Sequence, residues 1–171
     1  MQRNRHRAQI PLHPMIERYS AEVVVVHLEP DAIADMERHC NASPGMETGG
    51  ILFGYYERDL RNAHILQATA PPNDSKRGYA WFHRGVRGLQ SMTDVLWRSS
   101  TRRYYLGEWH FHPGSSPEPS GTDRSELRDI AADPHLSCPE PILVINGQRH
   151  GKFTRSVSLV YRGDFLRLAP E

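Results

Sequence analysis

The fold class that this chain predicts is a single α/β domain, a mixed β-sheet flanked by helices, and three observations point to it. Short β-branched or aromatic runs alternate with stretches whose apolar residues recur at helical spacing, the pattern that layers helices on a sheet. The 171 residues, 38% of them hydrophobic, suffice for one domain with a real core, and a second domain is not expected. No internal repeat or low-complexity segment breaks the alternation.

Residues 1–20 are expected to form a basic, flexible N-terminal extension carrying Arg3, Arg5 and Arg7, and residues 21–171 the domain itself. Residues 21–28 are short and valine-rich and read as a buried strand. A helix follows over residues 30–40, with Ile33, Met36 and Cys40 at helical spacing, and Ser43, Pro44 and Gly45 end it. Residues 48–56 and 63–70 read as two strands joined by a polar turn, a hairpin. After a loop over 71–78, residues 79–83 form a short aromatic strand. Val86, Leu89, Met92, Thr93 and Leu96 then mark the inner stripe of a second helix. A strand over 104–112, a loop and a helix over 123–132 come next. Strands over 141–146 and 153–161 close the sheet as a hairpin.

The strand over 104–112 carries the chemistry. Side chains alternate along a strand, so Leu106, Glu108, His110 and His112 are expected on one face and Tyr105, Gly107, Trp109 and Phe111 on the other. Residues two apart lie roughly 7 Å apart, close enough for both imidazoles to lean onto one ion. The chain then passes through Pro113, Gly114, Pro117 and Pro119, a surface-loop composition, and returns at Asp123. Carboxylate oxygen is an acceptable zinc donor beside imidazole, and three protein ligands leave one position for water, the catalytic arrangement. A pair of histidines two apart is a weak signal by itself, and Asp123 with Glu126 is also an ordinary start of a helix. Capping and ligation are compatible.

His110-x-His112, seven residues, Ser120, two residues and Asp123 match in full the signature of the JAMM (MPN-plus) zinc metalloproteases. Glu47-Thr-Gly-Gly-Ile-Leu-Phe-Gly54 resembles the family's upstream element. The resemblance runs from about residue 21 to residue 168 and implies a JAMM/MPN fold with layering similar to that of the cytidine deaminases. It also implies one Zn2+ per chain on His110, His112 and Asp123, with a catalytic water as fourth ligand. Zinc lowers the pKa of such a water to about 7. The family pattern gives Glu47 the role of taking its proton and passing it to the departing amine, and gives Ser120 a share in stabilising the oxyanion, where one lost donor costs about a hundredfold or more. Taken singly, Glu47 is an ordinary charge after a helix and Ser120 an ordinary cap. Many members have Ser or Thr between the two histidines; here Phe111 stands there, and strand alternation turns it away from the metal.

Other chemistries fit less well. The chain has no His-Glu-x-x-His helix, and Cys138 lacks the second cysteine that a zinc deaminase requires. Cys40 and Cys138 fall in no disulfide, metal or redox pattern, so a reducing cytoplasm is the expected setting. Neither a secretory signal nor a transmembrane helix is expected, nor a membrane partner. With a net charge of +1 there is no basic field to bind nucleic acid, and the N-terminal arginines read as a solvated tail.

The JAMM resemblance implies hydrolysis of the peptide or isopeptide bond after the C-terminal glycine of a ubiquitin-like modifier. Such a tail would bind extended along a sheet edge, with the 69–78 loop, Trp81 and Phe82 as candidate walls. The Glu108-Trp109 pair before the first ligand is similar to bacterial JAMM proteins, some of which accompany ubiquitin-transfer-like enzymes in antiphage operons. The partners expected are a ubiquitin-like modifier, its conjugates and such enzymes. A sulfur-carrier processing peptidase and a non-enzymatic MPN scaffold are the alternatives on the same fold.

Overall fold

Nine of the strands form one sheet that is antiparallel except at two pairs, in a computed structural model that describes residues 15–171. The elements in chain order are β1 (Glu17–Ala21), β2 (Val24–Leu28), α1 (Pro30–Asn41), β3 (Thr48–Tyr56), β4 (Asn62–Ala68), β5 (Lys76–Arg77) and β6 (Phe82–His83). Then come α2 (Leu89–Trp97), β7 (Tyr104–Pro113), α3 (Gly121–Ala132), β8 (Ile142–Arg149), β9 (Lys152–Tyr161), β10 (Asp164–Arg167) and β11 (Ala169–Pro170). The strand order is β10-β9-β8-β7-β3-β4-β2-β1-β11, and among the described residues β5 pairs only with β6. The parallel pairs are β2 with β4 and β7 with β8. Each needs a crossover, supplied by α1 with β3 and by α3.

Helices cover the two faces of the sheet, as α/β layering requires. Ala32, Met36 and Cys40 of α1 are buried over β4, β3 and β7, in the core cluster that also holds Leu52, Ile65, Trp109, Phe111, Ile142 and Val144. On the other face Leu127 of α3 packs on Leu143, Ile145 and Val160. Strand β8 thus feeds alternate side chains to both layers, which is why its sequence is a continuous apolar run. Cys40 and Cys138 are buried free thiols. Among the described residues no helix is long and apolar enough to cross a membrane.

The structure departs from the sequence expectations at four places. The sheet begins at Glu17, so residues 17–20, expected in the extension, form most of β1, which pairs along its length with β2. Arg3, Arg5 and Arg7 lie outside the described residues. The stripe on α2 is not an inner one: the helix has no buried residue, Val86 and Met92 are exposed, and Leu89, Thr93 and Leu96 are half-buried. Residues 164–170, which no strong pattern marked, supply β10 and β11. That segment pairs with β9 through its first half and with β1 through its second, while the Leu168 amide donates to the Val157 carbonyl, so the two ends of the sheet are joined.

The fourth departure lies in β7. Its register against β3 shifts so that Leu52 faces Gly107 but Phe53 faces Tyr105, leaving Leu106 as the extra residue of a bulge. Gly107 has φ +143°, and a Cβ there would run into the Ile142 backbone. A bulge reverses the alternation upstream of itself. Leu106 accordingly joins the core with Trp109 and Phe111, and the Tyr105 hydroxyl reaches the face of Glu108.

Candidate metal centre

The C-terminal half of β7 and the first turn of α3 bring three candidate ligands together. Alternation past the bulge puts His110 and His112 on one face, while Phe111 turns inward, 1% exposed and against Phe153. The proline-rich loop returns the chain to Ser120, the N-cap of α3, where a reciprocal capping box forms. The Asp123 amide donates to Ser120 Oγ at 3.1 Å, and the Ser120 amide donates to Asp123 Oδ2 at 2.7 Å. Such a box fixes the entry of a helix. Here it also aims the carboxylate at the histidines, so capping and convergence are one arrangement.

Asp123 Oδ1 lies 2.8 Å from His110 Nδ1, and Oδ2 lies 3.8 Å from His112 Nε2. One ligand atom from each of the three residues falls within 4.8 Å of the other two, the arrangement that could hold a metal ion. Bonds of about 2.0–2.2 Å to nitrogen and oxygen fit donors at such separations, and two imidazoles with one carboxylate suit zinc chemistry. His110 and Asp123 are buried, so desolvation would make loss of either partner expensive.

Glu47 reaches the same cleft from the start of β3, with its amide donating to the Gly78 carbonyl at 2.9 Å. The cleft is lined by Glu47, His110, His112, Ser120 and Asp123, with Trp81 and Phe82 as walls. All five residues singled out from the sequence therefore meet in one place. Gly49 is needed beside them: a Cβ there would crowd the Trp109 carbonyl, the Phe82 ring at 2.9 Å and the His110 ring at 3.0 Å. At the far end of the 69–78 loop, Thr69 accepts from the Trp109 indole through its carbonyl and from the Ile51 amide through its hydroxyl, each at 3.0 Å.

The charges are strongly coupled. Burial raises the Glu47 pKa above the usual glutamate range, and the Asp123 charge adds to it. Burial alone would raise Asp123 as well, but its bonds from His110 and Ser120 hold it well below the ordinary aspartate value. Burial lowers the pKa of His112. Glu126, one helical turn after Asp123 and lining the same cleft, is also pushed up by burial. Sequence reasoning did not single out Glu126 as a site residue, although its i+3 spacing from Asp123 was the available signal.

Several known proteins are similar to this chain. Residues 29–160 match the family described as prokaryotic homologs of the JAB domain. A CD-NTase/cGAS isopeptidase of Enterobacter hormaechei is 44% identical over 80% of this chain and 76% of its own length. One of Pseudomonas aeruginosa is 33% identical over 63% of this chain and 68% of its own. A probable metalloprotease of Sinorhizobium fredii is 35% identical over 58% of this chain and 62% of its own length. A solution structure of a Desulfitobacterium hafniense protein superposes with a TM-score of 0.57 at 18% identity, covering 83% of this chain and 88% of that one, which is a likeness of fold.

Proposed function

This chain belongs to the prokaryotic JAB-domain family, the prokaryotic relatives of the JAMM proteins its motif resembles, and from that membership we propose that it is a zinc-dependent isopeptidase. Its substrate is the bond after the C-terminal glycine of a ubiquitin-like modifier joined to a partner protein. What carries the reading is the convergence of His110, His112 and Asp123 within 4.8 Å in a cleft shared with Glu47. His110, His112 and Asp123 hold one zinc ion.

A zinc ion held there would supply Lewis acidity and an acidified water. Glu47 removes the proton of the attacking water and later delivers it to the leaving amine. The raised pKa of its carboxyl suits both halves of that exchange, since proton transfer in both directions works best near the operating pH. Ser120 Oγ accepts from the Asp123 amide, so its own proton is free to donate to the oxyanion of the scissile carbonyl. The modifier tail lies extended along the small β5–β6 sheet, beside Trp81 and Phe82. The ends of the main sheet are joined through residues 164–170, whereas β5 and β6 pair only with each other beside the cleft, and backbone pairing at an edge is the usual way to hold an extended tail.

The relatives named CD-NTase/cGAS isopeptidases extend the proposal to the conjugated partner, a CD-NTase/cGAS-type protein in a bacterial defence setting. The deciding experiment measures zinc per chain, then incubates the protein with a ubiquitin-like modifier extended beyond its terminal glycine. One zinc per chain, cleavage blocked by a chelator, and a folded, zinc-loaded but inactive Glu47→Ala variant are expected. Undiminished cleavage by Glu47→Ala overturns the assignment of the base. Stoichiometric zinc without turnover on any modifier favours a non-enzymatic scaffold, and activity confined to sulfur-carrier precursors favours a processing peptidase.

A further inference from the structure

Glu108 is no part of the motif that carries the proposed reaction, yet it is only 7% exposed. A carboxylate so withdrawn from water requires partners. They arrive from three directions. Arg84, just after β6, donates from Nε to Glu108 Oε1 at 2.5 Å. The Tyr105 hydroxyl, brought to this face by the bulge, donates to the same oxygen at 3.3 Å. The other oxygen, Oε2, is left facing His110 Nε2 at 3.7 Å.

That last separation is decided by strand geometry, because Glu108 and His110 are two apart on β7 and share a face. The His110 ring is thereby bracketed. Asp123 Oδ1 meets Nδ1 at 2.8 Å, Glu108 stands behind Nε2, and the Phe82 ring packs edge-on at 5.9 Å between centroids. A ring tilt closing roughly 0.5–1 Å would turn the contact with Glu108 into a hydrogen bond. An imidazole has two nitrogens, and a metal takes one; the other characteristically donates to a carboxylate that fixes tautomer and orientation.

We propose that Glu108, anchored by Arg84 and Tyr105, is a positioning residue that fixes the His110 ring with Nδ1 toward Asp123, in the orientation in which it would hold the metal. This rests on the metal reading above. Arg84 is the part of the device contributed by the chain around β6, so the segment on which the substrate tail is proposed to lie is tied to the ligand by one buried ion pair. The guanidinium is anchored on its own side as well, donating from Nη1 to the Gly85 carbonyl at 3.0 Å. Phe82, from β6 itself, touches the same ring. The chain between β5 and α2 thus meets His110 twice, once through a carboxylate and once through an aromatic edge.

The test is zinc affinity of the folded protein, measured by competition with a chromophoric chelator, together with the melting temperature of the chelated protein. Glu108→Gln keeps the shape and removes the charge; it is expected to weaken zinc binding by roughly 10- to 100-fold. Arg84→Gln is expected to weaken it less, with Arg84→Lys recovering part of the loss. Arg38→Gln, which removes an exposed pair with Asp35, is expected to change nothing. Cobalt in place of zinc should show a shifted visible spectrum in Glu108→Gln, a signature that mere destabilisation would not produce. If Glu108→Gln does not fold, Arg84→Gln decides. A parent that binds zinc while the folded variants bind it within about threefold as tightly overturns this inference alone, and a parent that binds no zinc overturns the metal reading and this inference with it.

Discussion

His110 gives the site its clearest pH signature. Burial depresses its pKa, but the hydrogen bond to Asp123 and the nearby Glu108 carboxylate outweigh that and push it from 6.5 up to about 10 in the metal-free protein. A histidine whose folded pKa exceeds its unfolded value stabilises the fold while protonated. That contribution is complete below about pH 6.5 and is lost as pH rises through about 10. The melting temperature of chelated protein is therefore expected to fall across that window, with the slope flattened by added zinc, which replaces the proton. A chelated protein that becomes more stable from pH 6.5 to 10 would contradict the pair. Glu47 works in the other direction for turnover. Its ionised form is the proposed base, its pKa is raised by burial and by Asp123, and cleavage should decline as pH falls through a value above the ordinary glutamate range. Phe111, between the ligands, faces the core, so Phe111→Ala is expected to cost about 3–5 kcal/mol in denaturant unfolding while leaving zinc affinity of the folded protein unchanged. The convergence of His110, His112 and Asp123 was legible in the sequence because its geometry is local: alternation sets two and a helix cap sets the third. Arg84 was not legible, since its bond to Glu108 spans 24 residues of chain with no periodicity to betray it.

At the level of elements, β7 shows where a period stops being a guide. The alternation held from Gly107 onward and failed before it, because one extra residue at Leu106 reverses every side chain upstream. No local propensity marks a bulge; the glycine at position 107 was the one clue. Gly107→Ala is expected to destabilise the fold by more than the ~1–3 kcal/mol of an unfavourable backbone conformation, since its Cβ would also meet the Ile142 backbone. Urea denaturation would register this, and a variant as stable as the parent would mean that the bulge relaxes. The α2 stripe teaches a related lesson. Helical spacing was read correctly, but spacing says which residues share a side, and only the tertiary fold says what that side meets. Here it meets water at Met92, and Val86, which precedes the helix, is exposed as well.

For the molecule as a whole, the last described strands decide the shape of the sheet. Leu168, 3% exposed, sits in the core between β10 and β11. Across the same seam Arg155 of β9 pairs with Glu17 of β1 at 2.5 Å and with Glu37 of α1. Leu168→Ala is expected to cost about 2–5 kcal/mol, and its unfolding should remain a single transition, because the seam holds the sheet together and not a separate subdomain. Two resolved transitions would show the opposite. The layered α/β class was legible from the alternation of strand and helix patterns, as was the antiparallel pair β8–β9. The joining of the ends was not, because residues 17–21 and 164–170 are short and neither carries a strong apolar period.

That joining also orders events in time. The candidate ligands on β7 and α3 are complete by residue 123, but the edge of β1 that faces away from β2 waits for a partner synthesised only at residues 169–170. Pairings so distant along the chain form late, and strand edges left open meanwhile are prone to stray association. A ribosome that has not yet translated residues 169–170 therefore carries an unfinished protease, whose fold can lock only after those residues have emerged.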